Sequence, residues 1–277
     1  MTAPAQVNGS SRAVHSAGGS RGSLRKLLSD HPVLWRLASL GLFFLIWEIA
    51  GRIPISFAFP TFLETLQAFV RMTLDGSFAT AYASTLQPLV IGIAISAVLG
   101  VGLGIVMGLS RGAEWLIAPV FIVLQSAPMA ALIPLITFVY GIGLVAKTLA
   151  VIMLALPVIV LNGYKAVRNV NPSLIDMCRS FQGTRMQRIF KIIIPDASPV
   201  IFAGLRLGLA AGFIGVILAE LLITPTGIGD LITYHRSVAD YPEMYAAVVS
   251  IIVVSTLTLA ALEAFELRVL RPEKRRG

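Results

Sequence analysis

The chain has 277 residues, of which 22 are Lys or Arg, 14 are Asp or Glu and 56% are hydrophobic. Charged residues make up 13%, against roughly 25% in a soluble globular protein, and mean hydropathy is +0.84. This excludes a soluble enzyme, which needs more polar surface, a disordered chain, and, with Cys178 as the one cysteine, a disulfide scaffold. A membrane-embedded chain remains. The net charge of +8 fits it, because the bases cluster between long apolar runs. No stretch interleaves basic and aromatic residues on one domain, so nucleic acid is not an expected partner.

Residues 1 to about 24 are rich in Ser, Gly and Ala without apolar periodicity, and residues 1–30 are expected to form a disordered tail. A bilayer core is crossed by about 20 apolar residues in a helix. The first such segment is 34–50, with Arg36 and Glu48 close enough to its ends to snorkel. More than thirty residues precede it and no small-residue cleavage site follows, so it reads as an anchor and not a signal peptide. Residues 87–110 carry no charge. Residues 116–140 carry none either, and Pro119, Pro128 and Pro134 predict one kinked span there. Segments 148–164, 197–223 and 244–262 complete six expected spans, an all-α polytopic membrane protein.

Orientation follows from the bases between spans. Arg12, Arg21, Arg25 and Lys26, then Arg111, then Lys165, Arg168, Arg179, Arg185, Arg188 and Lys191, and finally Arg268, Arg271, Lys274, Arg275 and Arg276 fall on one side. Arg52, Arg71, Lys147 and Arg236 fall on the other. Sixteen against four places both termini and the 163–195 loop in the cytoplasm, where a lone reduced cysteine belongs.

That loop is the most informative stretch. Asn171-Pro172 supplies an N-cap and a proline at the first helical position. Leu174, Cys178 and Phe181 then share one helical face, with Asp176, Arg179 and Gln182 off it. A second short helix is expected from Thr184, with Met186, Ile189, Phe190 and Ile193 on one side, stopping before Pro195. Such a pair is either an elbow on the headgroups or a docking surface for a soluble partner.

The run from Leu174 to Gly183, continued by Ile192, Ile194 and Pro195, resembles the EAA loop of binding-protein-dependent ABC importer permeases. Asp176 stands at the Glu position, Met177 and Cys178 at the two Ala positions, and Ile192, Ile194 and Pro195 at the Ile, Leu and Pro positions. Gln182 occupies the Gly position, with Gly183 one residue later, so the turn is expected to be shifted by one. From about residue 84 to 265 the resemblance continues through Gly141-Ile-Gly143, Gly204-Leu-Arg206, Ala219-Glu220 and Gly227-Ile-Gly229, which look like the nitrate/taurine/sulfonate subfamily. It implies a type I importer transmembrane domain over 84–266, preceded by a first helix and extracytoplasmic loop (31–83) and followed by a basic tail (267–277). It also implies a bacterial inner-membrane location, a second copy of the permease, a cytoplasmic ABC ATPase dimer holding the ATP, and an extracytoplasmic substrate-binding protein. No cofactor is implied on this chain. Asp176, Met177, Cys178, Arg179, Gln182, Gly183, Ile192 and Pro195 would form the ATPase-coupling loop.

Two further patterns need assignment. Gly100, Gly104 and Gly108, and Gly204, Gly208 and Gly212, each repeat a small residue every fourth position, which favours close helix packing, within the chain or across a dimer. Arg206 and Glu220 are the costly charges within spans. They stand about 21 Å apart along one helix and cannot pair with each other. Structural pairing or snorkelling suits Arg206, binding of a loop backbone suits Glu220, and both are also candidates for the translocation pathway or its gate.

Two apparent catalytic motifs fail on chemistry. The run from Gly141 to Thr148 nearly spells a phosphate-cradling loop, but Ala146 replaces its second glycine and no strand precedes it. Gly227-Ile-Gly-Asp230 spells an intramembrane protease motif without the second carboxylate in a facing span. His15, His31 and His235 all lie outside the spans, so a histidine-based dyad or metal site has no parts. An ion-coupled secondary carrier is the alternative transporter, but it calls for inverted repeats and mid-membrane ion ligands, and the sequence displays neither. The topology is testable with Ser173→Cys and Ser237→Cys in intact cells. A membrane-impermeant thiol reagent should label the second and spare the first, and labelling of the first would overturn the orientation.

Overall fold

The computed structural model describes residues 32–53, 58–223 and 225–270. The expected N-terminal tail and most of the basic C-terminal tail lie outside these residues. Packing divides the chain at Ile55/Ser56.

The first unit contributes α1 (Pro32–Arg52), 21 residues in the place of the first expected span. Glu48 is paired with Arg52 one turn later at 2.8 Å. Phe43 makes edge contacts with Phe44 and Trp47.

In the second unit α2 (Phe62–Leu74) opens with a capping box. Thr61 Oγ1 accepts from Glu64 N, and the Glu64 carboxylate accepts from Thr61 N. A left-handed Gly76 turns the chain into α3 (Ser77–Leu109), 33 residues and about 50 Å long. Ser110 caps α4 (Arg111–Ser126). The single kinked span expected over 116–140 is instead two helices, α4 and α5 (Met129–Tyr140), bent by 100°. The cause is local: Ala127 precedes Pro128, and steric conflict with the proline ring drives it to extended backbone (φ −69°, ψ 140°). Next come α6 (Leu144–Arg168) and α7 (Pro172–Ser180), then α8 (Arg185–Arg188), a π turn (Ile189–Ile193) and α9 (Ile194–Leu222). The helix expected to stop before Pro195 does not stop, and Arg185–Leu222 is one 38-residue run. Pro195 brings no N–H, and the Ile194 amide reaches back five residues to Ile189 O, so a widened turn absorbs the proline. The chain closes with α10 (Ile228–Ser237) and α11 (Tyr241–Leu270).

Among the described residues four helices are long and apolar enough to cross a membrane: α3, α6, the α8–α9 run and α11. The bent pair makes a fifth if counted as one span. The centre of the second unit is α6, sandwiched between α3 and α9. The glycine stripes serve this packing within the chain. A Cβ on Gly104 would sit 2.9 Å from Val160 O and 3.0 Å from Gly163 Cα, and one on Gly100 would sit 2.7 Å from Ile159 Cγ2. On the other side of α6, Gly204 meets Asn162 and Gly208 meets Ile159. Small residues substitute here for the hydrophobic effect, which gives little drive to helix association inside lipid. Gly104→Val should therefore lower stability by about 1–3 kcal/mol through overpacking. Gly102→Val, with nothing within 4 Å, should be silent. Thermal unfolding in detergent compares the two, and equal melting temperatures would remove the close-packing account.

Candidate functional site

Glu220, in the last turn of α9, is 2% exposed, and Lys147, in the first turn of α6, is 3% exposed. Their Nζ–Oε1 distance is 2.8 Å. Lys147 Nζ also donates to Thr226 O and Thr226 Oγ1, both at 3.0 Å, which uses all three of its protons. The Glu220 carboxylate accepts from Thr85 Oγ1 at 2.9 and 3.0 Å and from Gly229 N at 3.0 Å. Thr85 Oγ1 in turn accepts from Ile228 N at 3.0 Å. One charge pair thus joins α3, α6, α9, the turn after α9 and the start of α10. Gly227 sits at φ 98°, and a Cβ there would fall on the Glu220 carboxylate. Any side chain at that position would break the arrangement.

Lys147 departs from the sequence expectation. The apolar run predicts a span from Thr148, with Lys147 in a loop opposite the cytoplasm, yet α6 starts at Leu144 and buries it. The sequence carried a signal: a lone carboxylate near the end of one span needs a base at the same depth. Lys147 is one residue outside its expected span, at the end of the bundle where Glu220 also lies.

Arg206 has different partners. Its Nη1 lies 3.3 Å from Glu263 Oε1 and its Nη2 3.4 Å from Glu266 Oε2. Both acids were missed because the last span was expected to end at residue 262, while α11 continues to Leu270. Arg206 and Glu263 border an open groove of about 560 Å³ between α9 and α11, lined also by Ala203, Leu207, Ala210 and Thr256. Two carboxylates face one guanidinium, so the groove offers no free positive charge. Glu263 is 57% exposed in its side chain, and a charge so placed in a span faces water or protein, not lipid.

At the opposite end of the bundle α7 forms as expected, with Asn171 Oδ1 accepting from Ser173 N at 3.0 Å and Pro172 in the first turn. Asp176 and Arg179 pair at 3.2 Å on the exposed side, and Cys178 is buried. Two expectations fail. Phe181 is 81% exposed and not on the buried face, since α7 ends one residue before it, and Ile175 packs inward with Ile189 instead. The turn is not shifted: Gln182 itself takes the left-handed conformation, φ 55°. Gly183 N donates to Cys178 O and Gln182 N to Arg179 O, both at 2.9 Å, a Schellman ending in which Gln fills the position usually held by Gly. Gly183 is needed for space, because a Cβ would strike Cys178 Sγ and lie 3.0 Å from Cys178 O. Beyond it, Thr184 and Gln187 form a second capping box. Met177, Met186 and Phe190 are exposed. Ile192 is half-buried within the π turn, and Pro195 is exposed at the start of α9.

Among the described residues no three His, Cys, Asp or Glu side chains converge as a metal site. The ion pair sets a quantitative expectation. Lys147→Met should cost about 3–5 kcal/mol, because it strands the carboxylate in a buried site. Lys147→Met combined with Glu220→Gln should cost less than the sum of the single changes. Additive losses in a double-mutant cycle of thermal unfolding would show that the pair does not act as a unit.

The chain and its fold have known relatives. Residues 100–271 match the family described as binding-protein-dependent transport system inner membrane component. The putative aliphatic sulfonates transport permease protein SsuC of Bacillus subtilis is 27% identical over 228 residues, covering 82% of this chain and 83% of that protein. The taurine transport system permease protein TauC of Escherichia coli is 25% identical, covering 70% and 71%. The inward-facing MetNI methionine ABC transporter superposes with a TM-score of 0.59 at 19% identity, covering 70% of this chain and 95% of the matched chain. That likeness agrees with the fold class expected from the sequence, an all-α type I importer transmembrane domain. The family match covers more than half of the chain and coincides with the packed bundle, the buried pair and the helical loop, so this chain belongs to the inner-membrane permeases of binding-protein-dependent transport systems.

Proposed function

We propose that the chain forms, with a second copy of itself, the translocation pathway of an ATP-driven importer in a bacterial inner membrane, with both termini in the cytoplasm. A substrate-binding protein delivers the cargo from outside. A cytoplasmic ABC ATPase dimer hydrolyses ATP, and this chain supplies no catalytic group. The cargo is a small anion of the sulfonate, taurine or nitrate class, by analogy with relatives whose names carry those solutes.

The observation that carries the reading is the shape of the 172–188 segment. It is a capped, hydrogen-bonded elbow whose outer side presents the Asp176–Arg179 pair with Met177, Phe181 and Met186. Exposed apolar side chains around a charged pair suit a protein groove. The elbow runs without a break into α9, so a push on it reaches the spans. In this scheme Arg206 lines the pathway through its groove, and Glu220 holds the far end of α9 in register with α6. Coupling requires contacts that differ between the two states of the ATPase.

Asp176→Lys and Gly183→Val separate docking from passive anchoring. The first reverses the charge offered to the ATPase, and the second displaces the Cys178 turn. In vesicles holding the permease, its ATPase and loaded binding protein, both variants should insert normally yet lose substrate-stimulated ATP hydrolysis and uptake. Full activity of both would reduce the elbow to an anchor.

A further inference from the structure

Helix α2 has an arrangement of faces that the transport cycle does not explain. At about 100° per residue, Thr65, Ala68 and Met72 form one buried face, in which Ala68 and Met72 cluster with Phe78, Ala81, Ile228, Ala246 and Ala247. Almost opposite stand Leu66, Val70 and Leu74, 43%, 49% and 83% exposed. One edge between these faces is polar. Glu64, Gln67 and Arg71 border a recess of about 260 Å³ shared with Asp240 and Glu243. The other edge is apolar: Phe69 packs its ring on Phe78 at 5.3 Å, and the Thr73 hydroxyl is turned back onto Phe69 O at 2.7 Å.

A surface helix in water is polar opposite its core face, and this one is not. Protein on one side, apolar surroundings on the opposite side, water along one edge and hydrocarbon along the other is the environment of a helix lying flat at a bilayer surface. The depth agrees. Arg71 Nη2 is 3.1 Å from Glu243 Oε1, and Glu243 lies in the first turn of α11, one of the helices able to cross the membrane. The polar edge is thus level with the end of that span. The same residues fix which surface this is. Ile228, which packs in the cluster with Ala68 and Met72, adjoins Gly229 on Glu220, at the far end of the run that begins in the Asp176 elbow.

We propose that α2 is an interfacial helix that seats Leu66, Val70 and Leu74 among the lipid acyl chains of the leaflet opposite the Asp176 elbow, holding the outer ends of α3 and α11 at a set depth. The inference is independent of cargo and of the ATPase. Its test uses the full-length chain in liposomes of phosphatidylethanolamine and phosphatidylglycerol. Nitroxide labels are placed one at a time through Leu66→Cys, Val70→Cys, Leu74→Cys, Glu64→Cys and Gln67→Cys, and the native Cys178 is buried. Collision with oxygen, which partitions into lipid, is compared with collision with a nickel chelate, which stays in water. The oxygen-to-nickel ratio should be several-fold higher at the three apolar positions than at Glu64 and Gln67. Equal ratios would place the stripe in water. Shielding from both reagents at the three positions would mean that a protein covers it, and either result overturns the proposal.

Discussion

The buried ammonium of Lys147 needs three acceptors, and the end of the bundle away from the Asp176 elbow is arranged around that need. Glu220 comes from α9, and Thr226 from the turn that follows it. Thr85, on α3, satisfies the carboxylate and is itself satisfied by the amide that starts α10. Each partner arrives from a different segment, so the chain segments meet in one relative placement. In low dielectric, a fully matched network holds that placement more sharply than apolar packing alone, because any slip leaves a buried polar group unmatched. The glycine stripes make the placement reachable by letting α3 and α9 close onto α6.

The two ends of the α8–α9 run are built on different physics. One end is a dry charge pair, and the other is a chain of backbone caps exposed to solvent. Asn171, the Gln182 ending and the Thr184–Gln187 box satisfy the helix termini locally. The elbow can therefore hold its shape with few long-range contacts, which leaves its outer side free.

Helix class, the elbow's caps and the packing of the glycines were legible in the sequence because each rests on local chemistry or on a short period. Asn171-Pro172 states its cap in two residues, and Gly100, Gly104 and Gly108 state their face by spacing. What was not legible depended on where a helix ends. An apolar window stops at a charge, so Lys147 falls in a loop and Glu263 and Glu266 fall beyond the expected last span, while the structure extends helices through all three, whose partners lie on neighbouring segments. Pro195 was read as a stop for a similar reason. A proline removes one amide, and the π turn at Ile189–Ile193 makes that loss harmless. The bend at Ala127 was visible as proline content, but its 100° was not, because the angle is set by the extended backbone of one residue and not by composition. The position of Gln182 in a left-handed turn follows from the hydrogen bonds around it, and no residue preference would have selected it.

The separation of Lys147 from Glu220 along the chain also sets the order of events while the protein is being made. They are 73 residues apart, and ribosomes add about 5–20 residues per second. For several seconds α6 exists with its ammonium at the edge of the bilayer and no carboxylate to meet it. During that interval the side chain has to stretch toward the headgroups, which keeps the start of α6 shallow. Only when α9 has crossed can the cation withdraw into the bundle, drawing the turn at Thr226 with it. This buried charge is thus sealed late, and the membrane holds an unfinished permease until the second half of the chain completes the first.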